Sequence, residues 1–130
     1  MKHKVEQPNH YTVIITLEGG VDLKKLEPVY SGIEKTILAP ATEPVYFIFD
    51  VTQIENFNVY IPNVQEASEA ILKNKKVAAI FMIGIPNSLV NFVATKTISP
   101  SHLPAYNVES VEEALNLIDT SRGGSVAVTG

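Results

Sequence analysis

Val45-Tyr46-Phe47-Ile48-Phe49 is an unbroken apolar stretch that ends in Asp50. Such a run of β-branched and aromatic residues is typical of a strand buried on both faces, as in the centre of a parallel sheet. A second stretch of this kind, Val77-Ala78-Ala79-Ile80-Phe81-Met82-Ile83, ends at Gly84. Two buried strands with a helix-length segment between them predict an α/β domain.

The chain before residue 45 predicts a strand followed by a helix. Residues 11–17 are rich in β-branched residues and stop before a glycine pair, which favours a strand. A turn at residues 7–10 would pair residues 4–6 back onto this strand as an edge hairpin. The helix behind the candidate N-cap Asp22 carries an apolar stripe with spacings of three and four residues: Leu23, Leu26, Tyr30, Ile33 and Ile37. Pro28 lies inside this stripe, so we expect the first turn to be kinked or separate.

Two more helices are predicted between residues 55 and 100. Pro62 is suited to the opening of a second helix, whose apolar face would be Val64, Ala67 and Ile71. Asn87 or Ser88 would cap a third helix, which carries apolar residues between positions 89 and 98.

The end of the chain predicts a short strand and a final helix. Residues 105–108 form the strand, and Ser110-Val111-Glu112-Glu113 has the pattern of a capping box, in which the hydroxyl and the carboxylate each bind a backbone N–H. The helix behind this box is predicted to bury Ala114, Leu117 and Ile118 and to end at Asp119. Residues 1–119 are therefore predicted to form one domain, and the Ser- and Gly-rich residues 120–130 a flexible tail.

Composition narrows the function. The chain has 130 residues, a net charge of −4 and only one arginine, Arg122, among ten basic residues. Nucleic acid is therefore not the expected partner, since its recognition depends on a basic, Arg-rich face. The absence of Cys excludes disulfides, thiolate nucleophiles and cysteine-ligated metals. The polar start and the short longest apolar run, residues 77–85, predict a cytoplasmic protein that does not span a membrane.

The order of these elements resembles the STAS domain, the fold shared by anti-sigma-factor antagonists and the cytoplasmic ends of sulfate transporters. Three segments carry the resemblance. Residues 17–22 (LEGGVD) look like the family's strand-to-helix turn, residues 47–54 (FIFDVTQI) like its central strand and the loop that follows, and residues 108–115 (VESVEEAL) like its closing strand and final helix. The resemblance implies a single α/β domain with a mixed sheet of four to five strands and about four helices, mainly on one face.

The chain departs from the family at its regulatory position. In bacterial regulatory members the loop after the central strand carries an Asp-Ser pair, and the Ser is phosphorylated. In this sequence Asn58 and Val59 stand at that pair, and valine has no hydroxyl. The resemblance therefore implies a scaffold for protein–protein contact or ligand binding, without that phosphorylation switch.

Candidate site residues lie where buried strands end. Asp50, Thr52, Asn56, Asn58 and Tyr60 would line a binding crevice at this edge of the sheet. The alternative is that Asp50 only caps the loop by accepting backbone N–H bonds. These side chains offer amides and hydroxyls rather than a paired acid and base, which favours binding over catalysis.

A weaker candidate is the turn that contains Asn87 and Ser88. Free N–H groups at the start of the third helix would bind an anion or ligand there, or the two side chains would simply cap the helix. The histidines His3, His10 and His102 lack the spacing of metal ligands, so we expect solvated side chains and no metal.

The functional hypothesis is a non-enzymatic regulatory or interaction module with no cofactor. Its partner would be a protein that docks on residues 50–60 and the second helix, and an exposed strand edge or residues 125–128 would allow a homodimer. The alternative is a carrier for a small apolar ligand or lipid, with a pocket under residues 89–98. An enzyme assembled from Asp50, Thr52 and His102 is a third hypothesis, which no spacing supports.

Overall fold

The structure is a computed structural model. It describes residues 2–20, 22–55, 71, 73–84 and 105–124. Within these ranges the elements are β1 (Lys2–Asn9), β2 (Thr12–Gly19), α1 (Leu23–Ile33), a π-helical segment (Glu34–Leu38), β3 (Val45–Ile54), β4 (Val77–Ile83), β5 (Ala105–Val108), α2 (Val111–Asp119) and a second π-helical segment (Thr120–Gly124).

The five strands form one mixed sheet in the order β1-β2-β3-β4-β5. β1 pairs with β2 antiparallel, and the other neighbouring pairs are parallel. The predicted α/β domain and its antiparallel edge hairpin are thus confirmed. The hairpin is longer than predicted, because β1 runs from Lys2 through the expected turn to Asn9, with an irregularity between Glu6 and Asn9.

The strand order decides which face each helix covers. Parallel strands that follow one another in chain order need crossover connections, and right-handed crossovers place all of these connections on the same face. α1 and the helical residue Ile71, which lie in two successive crossovers, accordingly pack in one core cluster with Phe47 and Leu38. α2 follows the last strand and connects it to no further described strand, so the crossover rule does not restrict its face. It covers the opposite face, where Ala114 and Ile118 meet Phe81. The rest of the second predicted helix, and the third, lie outside the described residues.

α1 begins as predicted but is not divided at its proline. The Asp22 side chain accepts a hydrogen bond from the backbone N–H of Lys24 (3.0 Å), which makes Asp22 the N-cap. Pro28 lies inside the continuous helix, so the first turn is not separate; a kink at Pro28 stays a prediction. Pro28 is exposed, whereas Leu26 and Tyr30 on either side are buried against the sheet. Packing of these two residues outweighs the single backbone hydrogen bond that a proline removes.

The end of this helical region differs from the predicted stripe. An α-helix that buries Leu26, Tyr30 and Ile33 would next bury Ile37. The π-helical turn after Ile33 has a wider period, so it is Leu38 that is fully buried, while Ile37 is only partly buried.

The final helix also shows one difference. Ser110 caps it as predicted, since its hydroxyl accepts a hydrogen bond from the Glu113 N–H (3.1 Å). Leu117, predicted to be buried, is 40% exposed, because the core-facing stripe of α2 passes through Ala114 and Ile118. The first five residues of the predicted tail, Thr120–Gly124, are π-helical, and residues 125–130 lie outside the described part. The flexibility of the tail stays a prediction.

Candidate functional site

Asp50 and Thr52 lie at the carboxyl edge of the sheet, where β4 ends. Asp50 pairs with Ile83, the last residue of β4, but it does not end its own strand, since β3 continues to Ile54. This corrects the expectation that the strand stops at Asp50. Beyond Asp50, β3 pairs with no described strand on the side of β4, and Gly84 lies against it there at Thr52.

The Asp50 carboxylate is occupied by its own loop. Its Oδ1 accepts hydrogen bonds from the Thr52 backbone N–H (3.1 Å) and from the Thr52 hydroxyl (2.7 Å). This is the geometry expected if Asp50 caps the chain locally. Asp50 is half-buried and Thr52 is exposed, so both side chains remain accessible at the edge. Strand alternation from Ile48 places Asp50 on the face covered by α2, opposite to Ile71.

Gly84 lies directly against the Thr52 backbone. It has a φ of +90°, which favours glycine, and a Cβ added there would lie 2.7 Å from both the Cα and the Cγ2 of Thr52. The chain after β4 therefore passes directly against β3 at this position. Only a residue without a side chain permits this approach.

The remaining predicted site residues cannot be placed. Asn56, Asn58 and Tyr60 follow the last described residue of the β3 loop, and Asn87 and Ser88 lie beyond Gly84, all outside the described ranges. The structure thus brings together Asp50 and Thr52, and the wider binding site stays a prediction.

An open depression of about 420 Å³ lies at the same edge. Its lining residues come from β1, β2, β3 and the chain that follows these strands: Lys2, Glu18, Gly19, Gly20, Gln53 and Glu55. The lining is polar and carries two carboxylates and one ammonium group. The sequence analysis missed this depression, because it depends on the register that sets Lys2 beside Glu18 and Glu18 beside Gln53.

A second group of polar residues lies at the opposite, amino edge of the sheet. Glu43, in the loop before β3, binds the Arg122 guanidinium through one carboxylate oxygen and His10 Nε2 through the other (3.0 Å). The Arg122 guanidinium also lies over the Tyr11 ring, 3.5 Å from its centroid. The hydrogen bond from Arg122, and then that from His10, lowers the pKa of Glu43 below its usual value. The Glu43 carboxylate in turn raises the pKa of Arg122.

No local pattern in the sequence predicts this group: Arg122 stands out only as the single arginine, and His10 is expected to be a solvated side chain. His10 is indeed exposed, but it pairs with a residue 33 positions away. Contacts between residues so distant in the chain depend on the sheet order and leave no local pattern.

No cluster of three or more His, Asp or Glu side chains within the described ranges could hold a metal ion. His3 is exposed on β1, and His102 lies outside those ranges. In the same part of the chain, no helix is both long and apolar enough to cross a membrane.

The sheet order, the edge hairpin and the placement of the two helices together define a STAS-like fold. The chain is similar to the anti-sigma factor antagonist SpoIIAA in its unphosphorylated form, with a TM-score of 0.58 and 17% identity over 94% of this chain and 99% of that one. It is also similar to the Bacillus cell fate determinant SpoIIAA in the phosphorylated form, with a TM-score of 0.59 and 16% identity over 90% of this chain and 99% of that one. No protein-family model and no curated protein matches the sequence. At this level of identity the likeness establishes the fold.

Proposed function

We propose that this chain is a non-enzymatic regulatory module that acts by binding a protein partner. The observation that supports this most is the STAS-like fold over nearly the whole chain, shared with a protein described as an anti-sigma factor antagonist. The local chemistry agrees with it. At the carboxyl edge the Asp50 carboxylate accepts hydrogen bonds from the backbone N–H and the hydroxyl of Thr52, which is the arrangement of a local cap.

The docking surface in this proposal is the carboxyl edge of the sheet from Asp50 to Tyr60, together with the second predicted helix. Thr52 is exposed at this edge, and Gly84 lies directly against its backbone. Because Asp50 and Ile71 lie on opposite faces, the partner would contact the edge itself and residues on both sides of it.

We further propose that serine phosphorylation does not switch this module. The two positions that match the phosphorylated pair are Asn58 and Val59, which offer an amide and a hydrocarbon. A regulatory signal would then act through the presence or affinity of the partner rather than through a phosphate at this position.

Capture of a partner by matched variants tests the docking surface. Tagged protein is exposed to an extract of its source cells, and bound proteins are identified by mass spectrometry. Thr52→Lys places bulk and charge at the proposed surface, and Thr36→Lys is the control. Both threonines are exposed and donate one 2.7 Å intramolecular hydrogen bond, to Asp50 and to the Gly32 carbonyl respectively.

We expect a specific protein to bind the wild type and the Thr36→Lys variant, and to be lost from Thr52→Lys, Asn58→Ala and Tyr60→Ala. Melting temperatures should stay close to that of the wild type. Equal binding by all variants would overturn the docking surface. A marked fall in melting temperature in the variants that lose binding would indicate that these residues are structural.

The carrier hypothesis gains no support from the described residues. The pocket expected under residues 89–98 lies outside them, and the depression at the carboxyl edge is polar. Native mass spectrometry of freshly purified protein separates the two hypotheses: a bound mass that is lost on denaturation would favour a carrier.

A further inference from the structure

Arg122 connects the end of the described chain to the amino edge of the sheet. Its guanidinium lies over the Tyr11 ring and binds the Glu43 carboxylate, and only 30% of its side chain is exposed. The group therefore combines a cation–π contact with an ion pair, and each of the two strengthens when the other partner holds the guanidinium in place.

These contacts tie together three separate parts of the chain. Tyr11 belongs to the turn between β1 and β2, Glu43 to the loop before β3, and Arg122 to the segment after α2. His10 contacts the second oxygen of Glu43, and the Tyr11 hydroxyl lies 3.5 Å from Oδ1 of Asp119, the last residue of α2.

The segment that Arg122 anchors begins with exposed residues. Asp119, Thr120 and Ser121 are all exposed, so burial of apolar surface does not fix this part of the chain. The Thr120 hydroxyl donates to the Asn116 carbonyl (3.0 Å), a contact within the same helical region. Arg122 adds a contact between this segment and the amino edge of the sheet.

We propose that residues 120–124 form a latch, closed when Arg122 binds Tyr11 and Glu43 and opened by local unfolding of this segment alone. Segments with exposed side chains and few apolar contacts open at a lower free energy than the core does. Opening would release residues 120–124 from the amino edge while the sheet and both core clusters stay folded. The proposal does not depend on the proposed function.

The single arginine makes the latch directly measurable. A protease specific for arginine has one cleavage site in the whole sequence, the bond after Arg122. Such a protease needs an extended segment and a free guanidinium, so cleavage follows the population of the open state when opening and closing are fast. We expect the folded protein to be cut at least about tenfold more slowly than a peptide of residues 117–128.

Variants at the two binding partners test the contacts. Glu43→Gln removes the charge that pairs with the guanidinium, and Tyr11→Leu removes the ring beneath it. We expect both variants to be cleaved about three- to fivefold faster than the wild type. Glu109→Gln, which changes an exposed acid before α2, serves as the matched control and should be cleaved at the wild-type rate.

Urea unfolding of each variant, followed by circular dichroism, separates latch opening from global unfolding. The latch is supported if cleavage accelerates while the free energy of unfolding remains high enough to make the globally unfolded fraction negligible. Cleavage of the wild type at the rate of the peptide would overturn the proposal. So would wild-type rates for both Glu43→Gln and Tyr11→Leu.

Discussion

At the residue scale, Gly84 is a position where the backbone leaves no room for a side chain. We expect Gly84→Ala to lower the free energy of unfolding by about 2–4 kcal/mol, because a Cβ would clash with the Thr52 backbone and the positive φ would be strained. Gly32→Ala is the matched control, since a Cβ there meets nothing within 4 Å. It should raise stability by roughly 0.5–1 kcal/mol through helix propensity. Urea denaturation measures both, and equal effects of the two variants would contradict the close approach at Gly84.

Thr12 gives a residue-scale prediction of opposite sign. Its side chain is fully buried, and its hydroxyl has no hydrogen-bond partner among the described residues. We expect Thr12→Val, which keeps the shape and removes the hydroxyl, to raise the free energy of unfolding by up to about 1 kcal/mol. Thr16→Val, at a half-buried position of the same strand, should change it little. A marked destabilisation by Thr12→Val would show that the hydroxyl is bonded in solution.

Single residues were predicted from the sequence where their role is local. Asp22 and Ser110 were both predicted as helix caps and both accept the expected backbone N–H, because a cap depends on residues two or three positions away. The tight contact between Gly84 and Thr52 was not predicted. It joins two strands through their pairing, and nothing within either local segment signals it.

At the scale of single elements, the π-helical turn after α1 makes a specific prediction. It moves the buried position from Ile37 to Leu38. We expect Leu38→Ala to cost about 3–4 kcal/mol of unfolding free energy, as for a fully buried leucine. Ile37→Ala should cost about 1 kcal/mol, since Ile37 is only partly buried. Equilibrium unfolding of the two variants gives the comparison, and a larger loss for Ile37→Ala would mean that the α-helical register continues.

Element types were easier to predict than the faces they bury. The strands at residues 45–49 and 77–83 were predicted from continuous apolar runs, which are typical of strands buried on both faces in the middle of a sheet. Which residues of a helix are buried is harder to predict from sequence, because neighbouring apolar residues can each lie on the core-facing stripe. Leu117 is an example: it lies one position from Ile118 and is apolar, yet 40% of it is exposed. The packing of α2 against the sheet determines which of these two residues is buried.

At the scale of the whole molecule, the strand order was predicted only in outline. The alternation of strands and helices indicates an α/β domain with a parallel sheet. The helices mainly on one face of a mixed sheet were predicted from the resemblance to the STAS domain, because the strand order that decides the faces leaves no local sequence pattern. The group formed by His10, Glu43 and Arg122 could not be predicted, because it joins residues 33 and 79 positions apart. Its existence depends on the complete fold.

This group predicts how stability depends on pH. The pKa of Glu43 is lowered in the folded protein, chiefly by the hydrogen bond from Arg122 and then by that from His10, whereas the unfolded chain keeps the usual value of 4.5. Below 4.5 the unfolded state therefore binds a proton more readily than the folded state. The stabilisation from Glu43 is fully present above pH 4.5 and is lost as the pH falls through the lowered pKa.

The variant Glu43→Gln isolates this contribution, since a glutamine has no carboxylate to titrate. We expect the wild type to be more stable than Glu43→Gln at pH 6. The difference in unfolding free energy should shrink towards pH 3, because only the wild type has a carboxylate at position 43 that becomes protonated. Urea denaturation at both pH values gives the difference, in which the titration of all other carboxylates cancels. Glu109→Gln, which removes an exposed acid outside the group, should show no such change. A difference that stays constant or grows as the pH falls would mean that Arg122 does not hold the Glu43 carboxylate in solution.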